Sequence, residues 1–424
     1  MSAVAAALPF VAEPDSPPVY GPASRLTFGA LTIVPEDDGF LVGNPETGVF
    51  LLLPEVGVVA IRELQAGKTL AEAGAAASSY AGQDVDVVDF AATLAESGLV
   101  AGVDGTSVAP EVARGWSRTW LAGVPTEIAR PFFSTPAWVF YGFLLAASLG
   151  VFAFRPAFRP TFEDSLFYPN PAVCVVVLTV LGLVLATCHE ISHWLAARAV
   201  GVSARFSAGR RYFFPVLETD LSQLWSVPRR RRFGPFLGGM AFDTVVLASA
   251  LGLRVAWGEG LIDLDPLLYR LLGALVLRQV FVLGWQGLVF LRTDLYVALV
   301  SILGCYNLRR VNHLSLMRKI HRLKPDEEAE LAAAHPRDLS VARWFGFISV
   351  AGLIWVIFMF VTFFVPSTVV MAGWIFGSLI GAPPSGQAFW EALTIGMLTA
   401  MQGVLPFAIY GWHRLRRRQG VASS

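Results

Sequence analysis

The sequence predicts a mainly helical protein: a six-span helical membrane core preceded by a small α+β, winged-helix-like domain. Three observations lead there. Of 424 residues, 55% are hydrophobic and only 15% charged, against roughly 25% charged in soluble domains. Long uncharged stretches begin only after Arg130. The formal net charge of zero also hides a split. Residues 1–110 carry 14 acids against Arg25, Arg62 and Lys68, a net of −11, so the remainder carries +11. This composition argues against a wholly soluble protein. Three cysteines in apolar stretches, Cys174, Cys188 and Cys305, exclude a disulfide scaffold and read as small core residues.

The elements follow in order. Residues 1–24 lack the basic and long apolar segments of a signal peptide and read as a flexible tail. Residues 25–105 form the small domain. Leu26–Val34 and Gly39–Val42 read as strands around the Pro35-Glu36-Asp37-Asp38 turn, and Val49–Leu53 as a third strand. Glu55–Gln65 reads as an amphipathic helix. Thr69-Leu70-Ala71-Glu72 is a capping box that opens a second helix. Asp86–Ser97 makes a third, and Leu99–Val103 is strand-like. Residues 106–130 read as a linker.

The membrane domain covers 131–415, with a basic tail at 416–424. A bilayer core needs about 20 apolar helical residues. Pro131–Phe154 has 24 without a charge and Pro171–Cys188 has 18. The other candidate spans are 234–253, 266–291, 344–365 and 387–411. Residues 367–381 are apolar but short, and read as a re-entrant or interfacial piece. With the N-terminal region cytoplasmic, the outside loops hold only Arg155, Arg159 and Arg254. Apart from Arg270 and Arg278 within the fourth span, the remaining membrane-domain basic residues, Arg229–Arg232 among them, then fall inside, as the positive-inside rule requires. Both termini are therefore expected in the cytoplasm, and the acidic domain is expected to rest on this basic rim.

One motif carries chemistry. His189-Glu190-Ile191-Ser192-His193 lies at the end of the second span. Histidines four apart share one helix face and can hold one Zn²⁺, while Glu190 can take a proton from an attacking water. A glutamate at the bilayer edge is functional by default. A third protein ligand is needed, and the candidates are Asp243, Asp294, Glu218, Asp220, His313 and His321. The second and fourth spans run in the same direction, so Asp294 ends at the depth of the histidines. Asp243 sits nearer mid-membrane, where an ion pair with Arg278 is the expected role.

These motifs resemble the site-2 protease superfamily of intramembrane zinc metalloproteases, in particular its peptide zinc metalloprotease branch. That family pairs HExxH with an aspartate in a segment like N-P-x-x-D-G-Y. Here the segment is Arg292-Thr293-Asp294-Leu295-Tyr296, followed by Asn307-Leu308. The resemblance implies Zn²⁺ on His189, His193 and Asp294, with Glu190 catalytic. The sequence departs from the pattern in lacking Asn-Pro and in placing Leu295 where the family has glycine.

The N-terminal domain is similar to the PqqD-like recognition domains of ribosomal peptide pathways. The likeness rests on Gly39-Phe40-Leu41-Val42-Gly43-Asn44, Leu64-Gln65-Ala66-Gly67-Lys68-Thr69 and Leu94-Ala95-Glu96-Ser97-Gly98-Leu99-Val100. It implies capture of a leader peptide as an added strand against Val49–Leu53 and the helix Asp86–Ser97. Fourteen acids against three bases argue against nucleic acid as a partner. The expected partners are a peptide or precursor-protein substrate and the bilayer. The expected function is membrane-embedded endoproteolysis in peptide maturation. The alternatives are regulated cleavage of a membrane-anchored regulator and a non-catalytic binding or export partner.

Overall fold

In the computed structural model, which describes residues 20–45, 47–107, 124–202, 204–211, 214–291, 293–361 and 365–400, the alternating residues after Arg25 form two small sheets. The stretch expected as one strand, Leu26–Val34, is two. β1 (Leu26–Phe28) pairs with β5 (Val100–Val103), and β2 (Thr32–Glu36) pairs with β3 (Gly39–Asn44). The chain bends at Gly29-Ala30, so the two halves hydrogen-bond to different partners. β4 (Val49–Leu53) completes the sheet β2-β3-β4, and β6 (Thr106–Ser107) completes β1-β5-β6.

Three helices cover these sheets: α1 (Glu55–Gln65), α2 (Leu70–Ala81) and α3 (Val87–Glu96). The capping box is formed as expected. Glu72 N–H donates to the Thr69 hydroxyl oxygen at 3.3 Å, and Thr69 N–H donates to Glu72 Oε2 at 2.8 Å. Asp86 caps α3 by accepting from the Val88 and Asp89 amides.

Alternate residues of a strand face opposite ways, and here both faces of β2-β3-β4 are apolar. Val42, Leu51 and Leu53 enter the domain core with Ile61, Leu64 and Leu94. Val34, Leu41 and Phe50 form a second buried group, closed by Trp225 of the membrane unit.

The membrane unit begins with α4 (Thr126–Ala129) and α5 (Thr135–Phe154), followed by α6 (Pro171–Ala199). A hairpin of β7 (Arg205–Arg211) and β8 (Phe214–Asp220) leads through a 3-10 turn, Ser222–Ser226, to α7 (Arg229–Gly258). Then come α8 (Pro266–Gln286), α9 (Asp294–Leu303), α10 (Leu308–Ile320), α11 (Pro325–Ala332), α12 (Pro336–Met359) and α13 (Val365–Gly381). Five of these, α5, α6, α7, α8 and α12, are long and apolar enough to cross a bilayer. The sixth expected span, 387–411, is helical over 387–400; 401–411 lie outside the described residues, as do residues 1–19 of the expected tail, 108–123 of the linker and the basic tail. The short apolar segment 367–381 falls in α13, whose 17 residues extend about 26 Å.

Helix α7 is central. Half of its apolar window is buried, against 6% for α5. Phe143 of α5 and Phe347 of α12 are by contrast 65% and 75% exposed, as a lipid-facing surface requires. Several observed boundaries differ from expectation; α8 ends at Gln286 rather than 291, and α12 begins at Pro336 rather than 344. α6 continues to Ala199, which puts the whole HExxH motif inside one helix. α7 starts at Arg229, so the arginine run is its first turn rather than a loop.

That start turns Arg229 and Arg232, three apart and on one helix face, toward the N-terminal domain. Arg230 and Arg231 remain exposed. The acidic turn after β2 meets them, as the charge split led us to expect. Asp37 Oδ2 lies 2.9 Å from Arg229 Nη1 and 3.2 Å from Arg337 Nη1. Glu36 Oε1 lies 2.6 Å from Arg232 Nη2. Close approach is helped by Gly48 at φ +74°, where a Cβ would come within 2.8 Å of Ser222 Cβ.

Candidate metal centre

His189 and His193 lie one turn apart on α6, and their imidazoles converge on one carboxylate of α9. His189 Nε2 and His193 Nε2 are 3.1 Å apart. Asp294 Oδ2 is 3.2 Å from the first and 3.3 Å from the second. Among the described residues this is the group of histidines, cysteines and acids able to hold a metal ion.

The hydrogen bonds on the far side of each ring fix what the near side offers. His193 Nδ1 donates to the Pro235 carbonyl at 2.7 Å. His189 Nδ1 donates to Asp243 Oδ2 at 2.6 Å. Each neutral imidazole then turns its Nε2 lone pair inward. Two nitrogen lone pairs and a carboxylate oxygen face one another, an arrangement that a cation at the centre stabilises. Tetrahedral ligand bonds of about 2.0–2.1 Å set donors about 3.3 Å apart, so the triangle fits a small divalent metal.

Asp243 therefore does not pair with Arg278. Its other oxygen accepts from Gln279 Nε2 at 2.9 Å, and its side chain is 2% exposed. Arg278 instead donates to the Gly182 carbonyl at 3.0 Å and to Gln279 Oε1. The reason is helical phase. Residues 278 and 279 point about 100° apart on α8, and Gln279 is the one that faces α7. Gly239 lets α7 approach: a Cβ there would run into the His189 ring.

Asp294 is the first residue of α9, behind the N-cap Thr293. A carboxylate is favoured at that end of a helix dipole. Gln286, at the end of α8, grips it twice. Gln286 Nε2 donates to Asp294 Oδ2 at 2.9 Å, and the Asp294 amide donates to Gln286 Oε1 at 3.0 Å. Thr293 Oγ1 donates to the Gln286 carbonyl at 2.8 Å, which closes the clasp.

Glu190 lies beside His189 and is held by β8. Thr219 N–H donates to Glu190 Oε2 at 2.8 Å. The Thr219 hydroxyl lies 2.8 Å from the same oxygen and 2.9 Å from the Glu190 carbonyl. These contacts orient the carboxylate through Oε2.

The other candidates stay away from this centre. Asp220 accepts from the amide and hydroxyl of Ser222. His313 and His321 are exposed on or just after α10. The side chain of Glu218 lies outside the described residues. Cys174 and Cys305 are buried and Cys188 is half-buried; burial beside Asp338 raises the Cys305 thiol to about 12, consistent with an inert core thiol.

Sequence reasoning missed Thr219, Gln279 and Gln286. The two glutamines carried a signal: they are seven apart, on one face of an otherwise apolar span. No protein-family model, no curated protein and no solved structure matches this chain.

Proposed function

We propose that this protein is a membrane-embedded zinc endopeptidase of the site-2 protease type, which cleaves a peptide or precursor captured by its PqqD-like N-terminal domain. The observation that carries the reading is the donor triangle of His189, His193 and Asp294, with Glu190 held beside it. Two imidazoles and one carboxylate are the donor set of zinc hydrolases that keep a position open for chemistry. When bound, zinc supplies Lewis acidity toward a peptide carbonyl. Asp243 and the Pro235 carbonyl fix the two imidazole tautomers, and Gln286 fixes the carboxylate. Glu190, oriented by Thr219, takes the proton of the attacking water and delivers it to the leaving amine.

Capture by strand addition is supported by β4, which pairs only with β3 among the described strands and so has a free edge. The acidic domain that presents it is docked on the membrane unit that carries the candidate centre. Peptide maturation is the setting this arrangement favours.

The test is incubation of the detergent-purified protein with a panel of synthetic precursor peptides, including any encoded by adjacent genes, followed by mass spectrometry. Cleavage by the wild type, its loss in Glu190→Gln and retention of metal by that variant are expected. A Glu190→Gln protein with full activity would sink the mechanism, and a folded wild type that binds no zinc would favour a non-catalytic partner.

A further inference from the structure

A line of contacts runs from the N-terminal domain to Glu190. The outward face of β2-β3-β4, with Val34, Leu41 and Phe50, closes on Trp225. Beside it, Glu36 and Arg232 form an ion pair in which the side chains are only 6% and 2% exposed. Arg232 has N–H donors and no acceptor, and besides Glu36 it donates to one short segment. Its Nε donates to the carbonyls of Leu224 at 3.1 Å and Val227 at 2.9 Å, and its Nη2 to that of Trp225 at 3.3 Å. The guanidinium also lies over the Trp225 ring, 4.9 Å from its centroid. That segment continues directly from β8, whose Thr219 holds Glu190.

We propose that Arg232, locked by Glu36, is a positioning residue for Glu190: docking of the N-terminal domain fixes residues 219–227, and with them the Thr219 hydrogen bonds that orient the carboxylate. The assignment deepens the protease reading and rests on it for the role of Glu190. Its physical basis is the cost of a buried charge. Without Glu36, Arg232 is a buried cation with no counter-charge, which is strongly destabilising. The guanidinium then moves toward water and releases three carbonyls of the 224–227 turn. Trp225 loses its cation and part of its seat on the sheet at the same time. The strand next to that turn is the one that presents Thr219. The domain that captures the peptide thus also completes the base, and the site is fully assembled only while the domain is docked. Asp37 serves as a contrast, since it is 61% exposed and its pairs with Arg229 and Arg337 are screened by solvent.

Hydrogen–deuterium exchange on the full-length protein in detergent tests this without needing metal or substrate. Glu36→Ala is expected to speed exchange of residues 219–227 at least tenfold, with helix segments 56–65 and 185–199 within twofold of wild type. Arg232→Lys keeps a charge but cannot reach Glu36 and three carbonyls together, so it is expected to have the same local effect. It also keeps the proposal testable should Glu36→Ala fail to fold. Glu190→Ala is expected to speed exchange at Thr219, and Asp37→Ala to leave the segment within twofold of wild type. Unchanged exchange of 219–227 in Glu36→Ala or Arg232→Lys would overturn the proposal, as would an increase shared equally by 56–65. Because exchange is read without cleavage, failure of this inference is distinguishable from failure of the protease reading, which the Glu190→Gln and zinc measurements decide.

Discussion

Asp243→Asn is the sharpest probe of how the metal centre is built. The Asp243 carboxylate accepts from two donors, His189 Nδ1 at 2.6 Å and Gln279 Nε2 at 2.9 Å, with no water to substitute for either at 2% exposure. An asparagine offers one acceptor and one donor, so one of the two N–H groups must face another N–H. A buried polar group left unsatisfied costs about 1–3 kcal/mol. If the conflict falls on His189, its Nδ1 proton loses its acceptor and the Nε2 lone pair is no longer enforced. Loss of such an outer partner weakens metal binding about 10–100-fold, or about 1.4–2.7 kcal/mol. Zinc titration against a competing chelator would measure this, with His189→Ala as the reference for a destroyed site. Adding Gln279→Glu supplies an acceptor for the asparagine amide and is expected to recover most of the loss. An Asp243→Asn protein that binds zinc within twofold of wild type would refute the reasoning.

Other expectations follow from the same geometry. Gly239→Ala places a methyl against His189, and the overpacking is expected to cost about 1–3 kcal/mol, read as a lower Tm together with weaker zinc binding. Exchanging Asp243 and Arg278 is expected to be no better than either single substitution, because the two side chains do not pair; recovered thermal stability in the swap would contradict this. The Asp37 carboxyl is held below its ordinary value of 3.8 by the Arg337 hydrogen bond and by the charge of Arg229. A carboxyl lowered on docking contributes in full above that ordinary value and loses its contribution as pH falls through the docked one. The ion pairs of Asp37 are therefore expected to persist from pH 7 to about pH 4 and to be lost only below it, read by NMR as the titration of the Asp37 carboxyl carbon. An Asp37 carboxyl that titrates above its ordinary value would contradict the pairing.

The sequence made the local parts of the site legible. The HExxH spacing depends only on the 3.6-residue period, and Asp294 was favoured among the candidates by the expected common direction of two spans and by the family resemblance. What sequence could not supply was the rotational phase of one helix against another. Arg278 and Gln279 are adjacent, and the one-residue difference decides which of them meets Asp243. The same holds for the clasp of Gln286 on Asp294, which depends on where α8 ends relative to α9. In the N-terminal domain, the capping box and α3 are set by neighbouring residues and were read correctly. The split of 26–34 into strands of two sheets was not, because strand partners are non-local. The continuous apolar run of β4, Val49-Phe50-Leu51-Leu52-Leu53, did carry a warning that both faces of its sheet would be covered. A strand with one wet face alternates, and this one does not.

Leu295, which stands directly after Asp294, is explained by the structure around it. A glycine after a ligand lets the backbone open, which matters where the ligand sits in a loop. Here Asp294 is instead the first residue of a regular helix, and Leu295 packs with Tyr296 and Leu299 against the α10–α12 cluster. No unusual backbone conformation is required at position 295, so the leucine is accommodated. The free amide that a helix leaves at its first residue is satisfied by Gln286 Oε1, and the same glutamine steadies the ligand oxygen. Thr293 caps the helix and ties the clasp back to the Gln286 carbonyl. A helix N-terminus and one bidentate amide thus do locally what an opened loop would do elsewhere, and the carboxylate arrives within 3.3 Å of both histidines. The loss of the glycine is therefore not an argument against metal binding. Among the described residues, Gln286 is the one that bonds both the backbone amide and the carboxylate of Asp294.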